Sequence, residues 1–177
     1  MAAIYLHEDE FGQIELLPLS LWQYCVDEMK EIDGFAEAHK TDFGWSKIYL
    51  REEPPKSLSD FSISLSDFRD CVEKTLAPYS KVTTGYSSYQ ETCDNTFAWG
   101  IPDKSLDIFC YLTPENNIVE ISLVFGCLNE TTLQNALTTF SNLPRSQELI
   151  LADWKWGHLL RISDEQKLQE YLVLQMC

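Results

Sequence analysis

Positive charge is what this sequence has least of. Its 177 residues carry 13 Lys and Arg against 28 Asp and Glu, a formal net charge of −15. A surface this acidic repels polyanions, which argues against nonspecific nucleic-acid binding and docking on anionic membranes. Glycine is also sparse, at seven residues. Neither G-x-x-x-x-G-K-[ST] nor G-x-G-x-x-G occurs, so the standard nucleotide-binding loops are excluded. No C-x-x-C pair exists to build a zinc ribbon or a thioredoxin-like site. The three histidines, His7, His39 and His158, lack the spacing of H-E-x-x-H. Long apolar runs are missing too: the stretch from Ile118 to Leu128 is broken by Glu120, Ser122 and Gly126, well short of the roughly 20 residues that span a bilayer. The opening Met-Ala-Ala-Ile-Tyr-Leu-His-Glu-Asp-Glu has no basic region before an apolar one, so a secretory leader is not expected and the cytosol is the expected compartment.

What is present is a packed globule. Apolar residues make up 45% of the chain and aromatics 12%, whereas a disordered acidic chain is poor in both. The length fits one domain. The six cysteines (Cys25, Cys71, Cys93, Cys110, Cys127, Cys177) are expected as free, mostly buried thiols.

Ser20 and Gln23 have capping-box spacing. Trp22, Cys25, Met29, Ile32 and Ala36 then recur every three or four residues, which predicts a helix with Asp27, Glu28 and Glu31 on its other side. Asp33-Gly34 is expected to kink or end it. Further helices are predicted after Ser66, after Asn129 and after Ser163. Strands are predicted over Trp45 to Arg51, Lys81 to Tyr89, Leu106 to Leu112, Val119 to Phe125, Glu148 to Ala152 and His158 to Ile162. In the fourth of these, Val119, Ile121, Leu123 and Phe125 alternate with Glu120, Ser122 and Val124. Arg51-Glu-Glu-Pro-Pro-Lys-Ser57 is the clearest loop. Consecutive strands predict an α+β fold: a mixed or mainly antiparallel sheet packed by about four helices in a single domain covering residues 1–177.

Chemistry-bearing constellations are few. Gly85-Tyr-Ser-Ser-Tyr89 lacks the second glycine of a nucleophile elbow, and reads as an ordinary strand or a Tyr/Ser contact surface. His7-Glu-Asp-Glu10 contains metal-ligating types, but neighbours on an extended chain point to opposite sides, so a solvated acidic loop is the plainer reading. Trp99, Trp154 and Trp156 are expected as core or rim aromatics. Between His7 and Lys40, nine acids face two lysines, close to half of the whole excess in a fifth of the chain. A solvated helix face accounts for each acid singly. Together they predict one patch that would recognise a cationic partner.

Several segments resemble the immunity proteins of bacterial polymorphic-toxin and contact-dependent inhibition systems. They are His7-Glu-Asp-Glu-Phe-Gly-Gln13, Thr84-Gly-Tyr-Ser-Ser-Tyr89, Phe97-Ala-Trp-Gly100, and the ending of strand, Asp153-Trp154, strand and a helix carrying Tyr171-Leu172. The resemblance implies a cytosolic, non-enzymatic inhibitor that binds a cognate toxin, such as a basic nuclease domain. It transfers no catalytic residue, metal or cofactor. From charge and residue type, the partner-binding surface is expected at Glu8, Asp9, Glu10, Asp27, Glu28, Glu31, Tyr86 and Tyr89. Two alternatives stay open. One is a small carboxylate- or metal-dependent enzyme using His7 and nearby acids. The other is a nucleic-acid mimic acting as a phage or mobile-element interaction protein.

Overall fold

The computed structural model describes every residue except Glu8, Glu52, Glu53, Ser62, Ser87, Ser88 and Cys177. Along the chain run β1 (Ile4–Tyr5), β2 (Ile14–Pro18), α1 (Trp22–Ala38), β3 (Lys40–Thr41), β4 (Gly44–Trp45), α2 (Leu65–Val72), β5 (Ala77–Pro78) and β6 (Val82–Thr84). There follow β7 (Glu91–Thr92), β8 (Thr96–Gly100), β9 (Leu106–Leu112), β10 (Ile118–Phe125), α3 (Glu130–Ser141), β11 (Leu149–Asp153), β12 (His158–Arg161) and α4 (Glu165–Val173). Seven strands form one sheet in the order β12-β11-β2-β10-β9-β8-β5, antiparallel throughout. A small sheet, β1-β6-β7, contains one parallel pair. The class is α+β, as expected.

One face of the large sheet carries the main core. Leu16, Leu106, Ile108, Cys110, Ile121, Leu123 and Leu151 project there, packed by Phe68 and Val72 of α2, Ala136 and Phe140 of α3, and Leu168 and Leu172 of α4. Each large apolar side chain so buried contributes about 1.5–3 kcal/mol. The other face is covered in two separate places. Leu21 and Cys25 cover Leu17, Ile150 and Ala152 at the β11–β2 side. Ile4, Leu6 and Val82 cover Ala98 and Phe109 at the β8–β9 side. Sheet strands buried on both faces lose their alternation, and all of β9 except Tyr111 is buried.

Local sequence explains the helix starts. Asn129 accepts from the backbone N–H of Thr131 and Thr132, and Thr132 answers with its hydroxyl in a full capping box. Ser64 caps α2, two residues before the expected Ser66, and Asp164 caps α4 where Ser163 was expected. The Ser20–Gln23 box does not form: Leu19–Leu21 is a 3₁₀ turn after Pro18, and α1 begins with no side-chain cap. Nor does Asp33-Gly34 end α1, which continues to Ala38.

Two expected strands are much shorter than their composition suggests. Of Trp45 to Arg51 only Trp45 is in a strand, at the end of β4, and of Lys81 to Tyr89 only Val82–Thr84. Gly85, at φ +95°, turns the second one back, and Tyr89 N–H donates to the Tyr86 carbonyl. Cys25, Cys71, Cys93 and Cys110 are free thiols, as expected. Cys127 is disulfide-bonded, against expectation. The chain end returns beside it, where Leu128 N–H donates to the Gln175 carbonyl.

Candidate functional site

Between the two covers on the second face lies a gap. The register sets Ala152 opposite Glu15, Glu15 opposite Ser122, Ser122 opposite Phe109, and Phe109 opposite Ala98. The apolar ends of this row lie under the covers; its polar middle, Glu15 and Ser122, lies between them. β10 adds a bulge at Val119, with Ile118 pairing Leu112 and Glu120 pairing Tyr111. An extra residue reverses the side-chain alternation. Ile118 rather than Val119 therefore enters the core, while Val119 and Glu120 line the gap.

The gap is a cavity of about 710 Å³, with Glu15, Glu120, Arg51 and Trp154 in its wall. Phe11 and Tyr111 divide it from a second cavity of about 410 Å³. Arg51 enters from the loop after β4, hydrogen-bonds and ion-pairs with Glu15, and donates to the Gly12 carbonyl at 3.1 Å. Its guanidinium lies 4.2 Å from the centroid of the Trp154 ring. Ser122 Oγ accepts from Gly12 N–H at 3.2 Å and donates to Glu120 at 2.9 Å. Gly12 has φ +69°, and a Cβ built there would sit 3.3 Å from a Glu15 oxygen and 3.9 Å from a Glu120 oxygen. The two carboxylates thus converge on one point, and any larger residue at position 12 would intrude on them.

Burial raises the Glu15 carboxyl above its ordinary value, although Arg51 pulls it down. Glu120 is pushed up to about 7, first by burial and then by the neighbouring Glu15. The wall also holds donors without acceptors. Among the described residues, Arg51 Nη1 and Trp154 Nε1 are buried with no hydrogen-bond partner. The Trp154 indole also lies close enough to the Glu15 carboxylate to pull it down, after Arg51.

The residues expected at a partner surface divide between several places. Asp9 and Glu10 are exposed in the turn before β2, and Glu10 acts electrostatically on Asp107 of β9. Asp27 and Glu31 are exposed on α1, with Asp27 paired to Lys30 at 3.4 Å. Glu28 is buried and accepts from the Tyr49 hydroxyl at 2.9 Å, so it is not part of the exposed acidic face. The reason is the segment after α1, which folds back over that side of the helix and covers it. Tyr86 and Tyr89 are exposed at the turn after β6. Glu8 lies outside the described residues.

A surface that sequence reasoning missed lies on the segment after α1. Phe43, at the tip of the β3–β4 hairpin, is fully exposed, and Trp45, Ile48 and Leu50 are 67%, 84% and 83% exposed. Tyr49 alone turns inward, meeting Phe35 at 5.3 Å between ring centroids. The signal available was the density of large apolar residues just before a Pro-Pro loop, which the expected strand absorbed. The Trp expectations divide similarly. Trp99 is in the core, with its N–H on Glu73, Trp156 is exposed, and Trp154 is buried with Leu17 and Ile150, one side on the cavity wall.

No set of three His, Cys, Asp or Glu groups placed to hold a metal occurs among the described residues. His7 packs edge-on against Tyr5 instead. Comparison with protein-family models, with curated proteins and with solved structures finds no match for this chain. No described helix is long and apolar enough to cross a membrane.

Proposed function

We propose that this protein is a non-enzymatic inhibitor of the immunity type, which binds and neutralises a basic bacterial toxin domain in the cytosol. The observation that carries the reading is the run Phe43, Trp45, Ile48 and Leu50, four large apolar side chains exposed within eight residues. Solitary exposed apolar residues are ordinary, but a cluster rimmed by polar groups is the mark of an interaction surface. Its rim is polar and charged: Glu31 of α1, Glu37 paired with Lys40 at 3.4 Å, Asp42 and Lys47. Exposed aromatic anchors suit a protein partner, and the net charge of −15 favours a basic one. The anchors supply affinity and the charge accelerates encounter.

The test begins with the toxin open reading frame beside this gene. Co-expression with the wild-type chain is expected to rescue growth, and the purified pair to bind in calorimetry. The triple variant F43A/W45A/I48A, whose side chains face solvent, is expected to keep its melting temperature and lose at least about 30-fold in affinity. A fully folded triple variant that binds and protects like wild type would overturn the assignment of the surface. Failure of the wild-type chain to bind any basic toxin domain would overturn the function. Competition with DNA for a DNA-processing enzyme would point instead to a nucleic-acid mimic.

A further inference from the structure

The cavity on the open face of the sheet adjoins the exposed apolar run. Leu50 belongs to both, and Tyr49 beside it also lines the cavity. At about 710 Å³ the cavity has ample room for one long side chain. The charges in its wall do not match. Two carboxylates, Glu15 and Glu120, converge there, and the Arg51 guanidinium ion-pairs with Glu15. Among the described residues Glu120 has a hydrogen bond from Ser122 and no ion pair. Lys56, the other cation in the wall, is exposed and acts on neither carboxylate. Glu15 is buried, but Glu120 is partly open to solvent and can be reached. Directly across the β9–β10 pair from Glu120 stands Tyr111, whose side chain therefore shares its face of the sheet. Tyr111 and Phe11 are both exposed rings in the same wall.

An anion placed here would add to the excess of negative charge. An apolar group would strip water from Glu120 and leave its charge uncompensated. A metal ion needs more ligands than the wall offers, since no set of three His, Cys, Asp or Glu groups placed to hold one occurs among the described residues. A planar, delocalised cation meets both parts of the wall, because its edge can ion-pair with a carboxylate while its face stacks on an aromatic ring. We propose that the cavity receives an arginine side chain of the basic protein partner, its guanidinium on Glu120 and against the Tyr111 ring, while the surface around that arginine covers Phe43, Trp45 and Ile48. This rests on the inhibitor reading and adds to it the residue type that the partner must present. Continuity through Leu50 lets one partner occupy the run and the cavity together. An arginine seated in a pocket is a common source of binding energy at protein interfaces.

The test titrates the full chain with N-acetyl-L-argininamide, using N-acetyl-L-citrullinamide as the uncharged isostere. Binding is followed by calorimetry at pH 8, where Glu120 is charged, and by the Glu120 side-chain carboxyl resonance across a pH series. The arginine compound is expected to bind saturably at about 1–10 mM, the range for a single side chain. It is also expected to move the Glu120 midpoint down from about 7, because a neighbouring cation favours the carboxylate. The citrulline compound is expected to bind at least about tenfold more weakly. E120Q keeps an acceptor for Ser122 and is expected to bind both compounds alike, at the citrulline level. Against the cognate toxin domain, E120Q is expected to lose about 10- to 100-fold in affinity. No saturable response to the arginine compound up to about 50 mM, or an equal response to the citrulline compound, would overturn the proposal. A toxin domain bound equally by wild type and E120Q would also overturn it and leave the inhibitor reading standing. Failure to bind any basic toxin domain, with the arginine compound still seated at Glu120, would overturn the toxin reading and support an arginine-bearing partner of another kind.

Discussion

Glu120 shows how one side chain carries the consequences of its surroundings. Burial and the Glu15 carboxylate push it up to about 7 from an ordinary value of 4.5. Below about pH 4.5 it is protonated in both folded and unfolded chains, so no penalty exists. Between that value and about 7 the unfolded chain gives up its proton while the folded one holds it, and stability falls as pH rises. Above about 7 the penalty is complete, of the order of 3 kcal/mol. Glu15, also raised, acts in the same direction. E120Q is therefore expected to be more stable than wild type near pH 8 and nearly equal to it near pH 4.5, as measured by urea unfolding at both values. A variant less stable at pH 8 would show that the Glu120 charge is better solvated than its burial implies. Asp153 makes the opposite case: fully buried, it accepts from the backbone of Lys155 and Trp156 and from the Tyr171 hydroxyl, and so holds the turn that presents Trp154.

Elements differ in how well their own sequence supports them. α3 has a reciprocal cap, whereas α1 has none and carries a glycine at position 34. A Cβ at Gly34 would meet nothing within 4 Å, and its backbone lies in a regular helix. Gly34→Ala is expected to raise stability by about 0.5–1 kcal/mol through lost unfolded-state entropy and better helix propensity. A shift in the urea midpoint at constant slope is the measurement, and no change or a loss would mean that α1 is strained there. In β10 the bulge has the larger effect. It lets one strand supply Ile118, Ile121 and Leu123 to the core while Val119 and Glu120 line the cavity.

At the scale of the whole molecule, the net charge of −15 works against compactness and for solubility. Exposed ion pairs such as Lys30–Asp27 and Lys40–Glu37 offset little of it. Raising salt from about 0.01 M to 0.15 M shortens the screening length from about 30 to 8 Å. The melting temperature is expected to rise over that range, as scanning calorimetry would show. Association with a basic partner should respond with the opposite sign, since the same screening weakens steering. A melting temperature that falls with salt would mean that local attractions outweigh the global repulsion.

The helices after Asn129 and Ser163, the β9–β10 and β11–β12 pairs and the α+β class were legible because local rules govern them: caps, spacing and turns between apolar runs. The acid excess was legible too, since composition alone decides it. Its arrangement was not. Glu28 shares the helix face read as exposed, and only the returning segment that places Tyr49 against it decides its burial. Likewise Glu15, Arg51 and Glu120 are distant in the chain and look ordinary there. Glu15 and Glu120 meet because antiparallel register sets their strands side by side, Arg51 reaches them from the loop after β4, and the two covers leave the middle of the sheet open. Periodicity fixes which side a residue faces only while it is unbroken; what then lies above that side is a property of the assembled molecule.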